Sequence, residues 1–576
     1  MSRGTFGKPF WITLVFVCLV KLLFVVTYPL NVSGDGFTYF RMIATRSSNL
    51  AHAGGYPFLV GLPLAIPRAV LAGLRGPGSA LLEPVEETRP GAAAGVAQRP
   101  PKDVETKQAL LPVLALYVTV ANHLMDALAA AVLFLLLRAV CSVAAAVLGA
   151  LVYGLNPWNV QWATLSRPEQ VQSNLLVLMV GALYWARRGK TPRRKRAGYA
   201  AAAALFVLCA LVKFNAVLFV LLPVIVLLTD PSSWRERLRL GAISLATGAA
   251  VYAAFVILYH APSTGTYDLA YARGHNLYER LQRNPVPLFS PENGIASKKF
   301  AILTRVLPSE VPSCCGPTLF SHVDWVPPDE RRPYRERYLP LLRSQDRSVV
   351  EQLYATVSDR PEGKWHSIHY HLGLKEGDDL LSSVFFEAVR SRPAAYLEGA
   401  GLLFLEAFTH RPEVLVPVLD PALGADPPLN ILADARNLEA LGFGFVRIVK
   451  PGYEGRSLAY KGSPAIWLPG ARAVSYALGV TGLPTLLLWA VIAAGVLLAL
   501  VGRGDGGRDP QAARWGPALL LVSLLVFIAA WSLLFNVRNK DVRLVQPLLD
   551  ALVAVGLWRI GERIRRGAAA MSRAWS

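Results

Sequence analysis

The sequence predicts an all-α polytopic membrane protein of about ten transmembrane helices with one large outer segment. Three observations carry that expectation. Of 576 residues, 53% are hydrophobic and only 17% are charged, against about 25% charged in soluble domains. The apolar residues gather into runs of spanning length. The basic residues, which raise the formal net charge to +20, cluster between those runs. In a soluble chain such an excess would point to nucleic acid. Here it reads as membrane topology and contact with anionic headgroups, with no nucleic-acid partner.

A spanning helix needs about 20 apolar residues. The candidates are Pro9–Leu30, Leu110–Leu137, Ser142–Trp158, Pro168–Trp185, Tyr199–Val212, Asn215–Leu228, Leu240–Tyr259, Tyr476–Leu500, Pro517–Phe535 and Leu544–Trp558. The first reads as an uncleaved span, because no small-residue cleavage site follows it. Arg187, Arg188, Lys190, Arg193, Arg194, Lys195 and Arg196 form the densest short basic loop, which the positive-inside rule assigns to the cytoplasm. Arg235, Arg237 and Arg239, and then Arg559, Arg563, Arg565 and Arg566, fall on the same side if the chain crosses twice between Tyr199 and Leu228. That requires a break at Lys213-Phe214-Asn215 and leaves both termini in the cytoplasm.

Three parts follow. Residues 1–259 form an N-terminal transmembrane module whose first outer loop is 31–109. Residues 260–474 form an outer, mainly helical and irregular segment, with a membrane-surface helix near 394–408. Residues 475–576 form the C-terminal helices and a basic cytoplasmic tail. Cys18, Cys141 and Cys209 lie in apolar runs as packing residues. Cys314-Cys315 can pair with each other, pair between chains or stay reduced, so no disulfide framework arises.

Candidate chemistry sits at the outer ends of the spans. Asp35, in Ser33-Gly34-Asp35-Gly36, follows the first span. It suits a helix N-cap and equally a partly desolvated general base, and one residue can be both. Glu169, in Ser166-Arg167-Pro168-Glu169, suits the dipole of a helix start. With Asp35 it could also bind an acceptor, or a divalent metal through oxygen ligands. Lys213 interrupts two apolar runs, where it must snorkel or meet an anion. Arg538, Lys540 and Arg543 are positive on the outer side, against the general trend. Asn122, His123 and Asp126 share an apolar helix and suggest interhelical polar contacts. Trp365-His366-Ser367-Ile368-His369-Tyr370-His371 has metal-like spacing but no acidic or cysteine neighbour, and reads as a surface or interfacial histidine cluster.

Taken in order, these elements resemble the GT-C superfamily of membrane glycosyltransferases. The likeness is greatest to the branch of protein O-mannosyltransferases and lipid A aminoarabinose transferases. The matching elements are Asp35 after the first span, Gly55-Tyr56-Pro57, Asn156-Pro157 followed by Glu169, Leu211-Val212-Lys213, and Arg543 with Pro547. They cover residues 1–260 and 475–560. The chain departs from the branch in having Gly34-Asp35-Gly36 in place of an Asp-Glu pair, and Leu544 after the late Arg. It also lacks the Trp-Trp-Asp-Tyr-Gly element of oligosaccharyltransferases.

The resemblance implies a polyprenyl-phosphate sugar as donor, and transfer with inversion to a glycan, lipid or protein acceptor on the outer face of the plasma (inner) membrane. It implies Asp35 as base, with Glu169, Tyr56 and Tyr39 beside the acceptor. Lys213, Arg543, Arg538 and His52 would hold the donor phosphate, and any divalent metal would sit on Asp35 and Glu169. Two other readings stay open: a ligase or polymerase using a diphosphate-linked donor, and a lipid or solute transporter.

Overall fold

The computed structural model describes residues 7–27, 39, 42–43, 55–60, 104–155, 159, 163, 168–265, 267, 273–308, 328–363, 365–409, 483–501, 510–534 and 546–575. The described residues are helical, with connecting turns. The N-terminal part contains α1 (Lys8–Thr27), α2 (Val104–Val140), α3 (Val143–Leu155), α4 (Pro168–Arg187), α5 (Pro192–Val212), α6 (Leu221–Leu228) and α7 (Trp234–Phe255). Three described stretches, Tyr117–Val140, Pro192–Val212 and Trp234–Thr264, are long and apolar enough to cross a membrane. Trp11, Ile12 and Leu19 on α1 and Leu245 on α7 are exposed. Such residues are a liability against water and suit lipid, as expected of an integral membrane protein.

The anticipated break is present. α5 ends at Val212, Lys213 is extended (φ −157°, ψ 125°), and a 3₁₀ turn over Phe214–Val220 leads into α6. The basic loop has a physical role at the other end of α5. Thr191 caps the helix, with Pro192 at its first turn. Lys195 pairs with Asp230 at 2.8 Å, which ties the start of α5 to the end of α6. Hydrogen bonds and the Lys195 charge hold the Asp230 carboxyl below its usual range, although burial opposes them.

The segment after α7 builds a hydrophobic core of its own. It contains α8 (Arg273–Gln282), α9 (Ile295–Val306), α10 (Pro328–Arg343), α11 (Arg347–Val357), α12 (His366–Leu372), α13 (Leu374–Ser391) and α14 (Pro393–Thr409). Leu277, Tyr278, Phe300, Leu303, Ile368, Leu381 and Phe385 interlock in its centre. Side chains from α9 and α13 satisfy orphaned helix ends within this module. Glu387 accepts from the backbone of Ala296 and Ser297 at 2.9 and 2.8 Å. Asp378 accepts from the backbone of His275 at 3.0 Å, and Lys299 donates to the carbonyl of Leu342 at 2.8 Å.

The histidine run lies in this core, which corrects its reading as a surface cluster. His369 and His371 are buried, and burial pushes the His369 imidazole down to about 3. The cause is periodicity. All three histidines of the run share α12 with Ile368 and Leu372, so packing the apolar face carries His369 and His371 inward.

The C-terminal helices are α15 (Leu483–Val501), α16 (Pro510–Leu534) and α17 (Gln546–Trp575). α15 and α17 cross at Gly495 and Gly556, where a Cβ on either would overlap the other helix. This is the small-residue packing of membrane helices. The helix expected near 394–408 is α14, which lies against α16.

This module grips the end of α16. Arg280 is fully buried. Its Nε donates to the carbonyl of Ser532 at 3.0 Å and its Nη1 donates to Asn284 at 2.7 Å. Its guanidinium lies 5.1 Å from the centroid of the Tyr396 ring, and the Tyr396 hydroxyl donates to the carbonyl of Leu533. A cation at a helix C-terminus is favoured by the dipole. Arg280→Met removes both donors, and each charged hydrogen bond is worth about 1.5–3 kcal/mol. Limited proteolysis should therefore find the junction between module and α16 cleaved faster, with Arg280→Lys only partly protective because it has no planar fork.

Candidate active site

Four of the candidate residues come together. Tyr39 and Tyr56 are buried and meet edge to face, with ring centroids 5.4 Å apart. Asn122 on α2 donates to the Tyr56 hydroxyl at 3.3 Å and to the carbonyl of Ala163 at 3.0 Å. Burial raises the Tyr56 phenol above its ordinary range; the Asn122 contact lowers it, and the nearby Glu169 charge raises it further. Tyr56 is therefore neutral and keeps its proton. Tyr117 fixes the end of the same segment by donating to the carbonyl of Val60 at 3.1 Å.

Glu169 stands in the first turn of α4, directly after Pro168. Lys213 Nζ donates to its Oε1 at 3.2 Å, with the Lys213 side chain 23% exposed and the Glu169 side chain 4%. An acceptor-side candidate and a phosphate-side candidate are thus paired with each other. The ammonium also bears on the metal expectation. Lys213 occupies one oxygen of the Glu169 carboxylate, so a divalent cation at that oxygen would compete with the ammonium. Among the described residues no three His, Cys, Asp or Glu side chains gather into a metal-like group.

Two sequence elements that lie far apart meet in space. A Cβ on Gly55 would overlap the backbone of Leu211 and Val212. Only glycine lets residues 55–60 lie directly on the last turn of α5, beside the helix break. The break is held from α4 by Gln172, whose Nε2 donates to the carbonyl of Lys213 and to the Asn215 side chain, both at 2.6 Å. Gln172 thereby adds a second donor to a carbonyl that also accepts from the backbone of Ala216 in the 3₁₀ turn.

Beneath this cluster lies a buried polar network. Lys21 on α1 donates to Asp126 Oδ2 at 2.7 Å, and both side chains are 1% exposed. Asp126 Oδ1 accepts from Gln170 at 2.7 Å and from Asn174 at 2.6 Å. Tyr153 on α3 donates to Asn174 Oδ1 at 2.5 Å. The interhelical contact expected for Asp126 is present, and its cation is Lys21. Gln170 adjoins Glu169, and Asn122 stands one turn from Asp126, so this network fixes the helices that carry the site.

Asp35, His52, Arg538 and Arg543 lie outside the described residues, as do Lys540 and Asn156-Pro157. The sequence reading passed over Lys21, Gln170, Gln172 and Asn174. A usable signal was present: Lys21 is a single charge well inside an apolar run, and the three amides follow Glu169 on the first turns of an apolar helix.

No family model matches the chain, and no curated protein matches it. Among solved structures it is similar to the apo oligosaccharyltransferase of Archaeoglobus fulgidus. The TM-score is 0.39 at 14% identity, covering 99% of this chain and 52% of that one, so this chain spans about half the length of that protein. It is also similar to ArnT from Cupriavidus metallidurans bound to undecaprenyl phosphate, with a TM-score of 0.25 at 11% identity, covering 96% of this chain and 79% of that one. Likenesses at these scores assign no fold.

Proposed function

We propose that the protein is a GT-C-type membrane glycosyltransferase that moves a sugar from a polyprenyl-phosphate donor to an acceptor hydroxyl on the outer face of the membrane. The observation that carries this reading is the convergence of Gly55-Tyr56, Glu169 and Lys213, three separate elements of the resemblance, into one buried cluster.

The residues suit one chemistry. The acceptor oxygen attacks the anomeric carbon as the bond from that carbon to the phosphate oxygen breaks. Polyprenyl phosphate leaves with the electron pair, and the configuration inverts. A phosphate monoester leaves without protonation when cations stabilise its growing charge. Lys213, with Arg543, Arg538 and His52, is assigned to that task. One carboxylate then suffices, in contrast to glycoside hydrolysis, where an alkoxide departs with help from a second carboxyl. Asp35 takes the acceptor proton, while Glu169, Tyr56 and Tyr39 orient the acceptor.

The test is transfer by purified full-length protein in nanodiscs, supplied with labelled polyprenyl-phosphate sugars. Sugar transfer or release of free polyprenyl phosphate is the expected result. Asp35→Asn should lower the rate by about 10²–10⁴-fold, the usual contribution of a general base, with unchanged thermal unfolding. Full transfer by a folded Asp35→Asn protein would overturn the base assignment.

A further inference from the structure

The turn that follows Lys213 is held from outside. Phe214–Val220 is a 3₁₀ run of seven residues, and runs beyond three or four residues are uncommon because their hydrogen-bond geometry is poor. Pro223 blocks an α-helical alternative at its far end, since it offers no N–H to the carbonyl of Phe219. A 3₁₀ helix repeats every three residues, so Ala216 and Phe219 lie on one line, which Leu222 extends into α6. All three are buried, while Phe214, Val220 and Leu221 are exposed. The buried line shares one core cluster with Leu524, Phe527 and Ile528 of α16. The Phe219 and Phe527 rings stack at 4.6 Å with 23° between their planes. Gln172 clamps the start of the turn through Asn215, and α16 is the wall behind the rest of it.

That wall is fixed at its end by the module. Ser532 and Leu533, whose carbonyls accept from Arg280 and Tyr396, follow Phe527 by only about 7.5–9 Å of helix. Arg280 also holds Asn284, which donates to the carbonyls of Val286 and Ala395 at 2.5 and 3.4 Å. The end of α8, the start of α14 and the end of α16 thus meet at one guanidinium. Cohesion alone does not account for this residue. Arg280 is fully buried, its Nη2 has no hydrogen-bond partner, and among the described residues no carboxylate accompanies it. An apolar joint would avoid desolvating that charge. What the planar fork adds is direction, because it fixes where the last turn of α16 lies.

We infer that Arg280 is a positioning residue for the donor site, acting on Lys213 through α16. The inference rests on the proposed lipid-phosphate donor. The module fixes the end of α16, Phe527 fixes Phe219, and the 3₁₀ turn fixes the backbone that presents the Lys213 ammonium to the phosphate. Loosening the joint therefore weakens the hold on the donor at a site that Arg280 does not itself enter.

The experiment measures equilibrium binding of a short-chain polyprenyl phosphate to the full chain in zwitterionic nanodiscs. The proteins are wild type, Arg280→Lys, Tyr396→Phe, Phe219→Leu and the double variant Arg280→Lys/Phe219→Leu, each shown to be folded at the assay temperature. Arg280→Lys keeps the charge and loses the fork, and Tyr396→Phe loses one hydroxyl and keeps the ring. Both should weaken binding, Arg280→Lys by about fivefold, the lower end of common couplings between sites. Phe219→Leu should weaken it as well. On that background Arg280→Lys should add less than about twofold, because the link is already cut. Unchanged affinity in folded Arg280→Lys, or losses that multiply in the double variant, overturns the inference and leaves the donor reading intact. Wild type that binds no polyprenyl phosphate overturns the donor reading and this inference with it.

A readout on the unmodified protein covers variants that fold poorly. Coupling between two sites is reciprocal, so the lipid phosphate must also tighten the joint. Saturating polyprenyl phosphate should slow limited proteolysis between the module and α16 more than it slows cleavage of the exposed tail of α17. Equal effects at the two places, or none at the joint, overturn the coupling.

Discussion

Asp126→Leu should cost about 3–5 kcal/mol of stability, the usual effect of removing one partner from a buried ion pair. The substitution strands the Lys21 ammonium at 1% exposure and leaves Gln170 and Asn174 without the oxygen to which both donate. Lys21→Met should be similarly damaging, because it leaves a buried carboxylate held only by neutral amides. The double variant Lys21→Met/Asp126→Leu should recover much of the loss, since an apolar pair of similar volume avoids desolvating charge. Thermal unfolding in detergent of the wild type, both single variants and the double variant measures the coupling. Additive losses would show that the charges do not act as a pair. Transfer should remain reduced in the double variant even where stability returns, because Gln170 and Asn174 would no longer anchor the turn that carries Glu169.

Gly55→Ala has the second large effect. The added methyl group meets main chain, Leu211 and Val212, where no rotamer can relieve the overlap. Forcing atoms into such a contact costs about 1–3 kcal/mol. The activity loss should exceed what that cost implies. Residues 55–60 must rise off α5, which moves Tyr56 away from Asn122 and Glu169, and displacement by about 1 Å costs roughly 10²-fold in a positioned site. Transfer assays on protein shown to be folded at the assay temperature check this. Wild-type rates in Gly55→Ala would mean that the close approach does not matter to the chemistry.

The parts of the fold that were legible in the sequence are those set by local pattern. Apolar runs marked the membrane helices, and the chain is helical along each run that the structure describes. Pro168-Glu169 announced a helix start, and α4 begins there. The break at Lys213-Phe214-Asn215 was readable because a charge and an amide interrupt an apolar run. The histidine run was misread as surface because spacing reports chemistry but not facing, and only the packing of α12 on α13 turns His369 inward.

The candidate site divides in the same way. Its residue types and order along the chain were visible, but its pairings were not. Lys213 was assigned to a phosphate and Glu169 to an acceptor, each on its own environment, and their 3.2 Å contact depends on how α4 lies along α5. Lys21 and Asp126 are separated by 105 positions, so no local pattern joins them.

The sequence by itself determined that this is a helical membrane protein, where its helices begin and break, and which few polar residues interrupt its apolar runs. Those features follow from burial of the backbone and side chains in lipid, which acts on each segment separately. Tertiary structure alone decided which of the polar residues are partners: Lys21 with Asp126, Lys213 with Glu169, and Gly55 with the turn before Lys213. A charge in an apolar medium must find its opposite wherever the packed helices present it, and packing is a property of the whole chain.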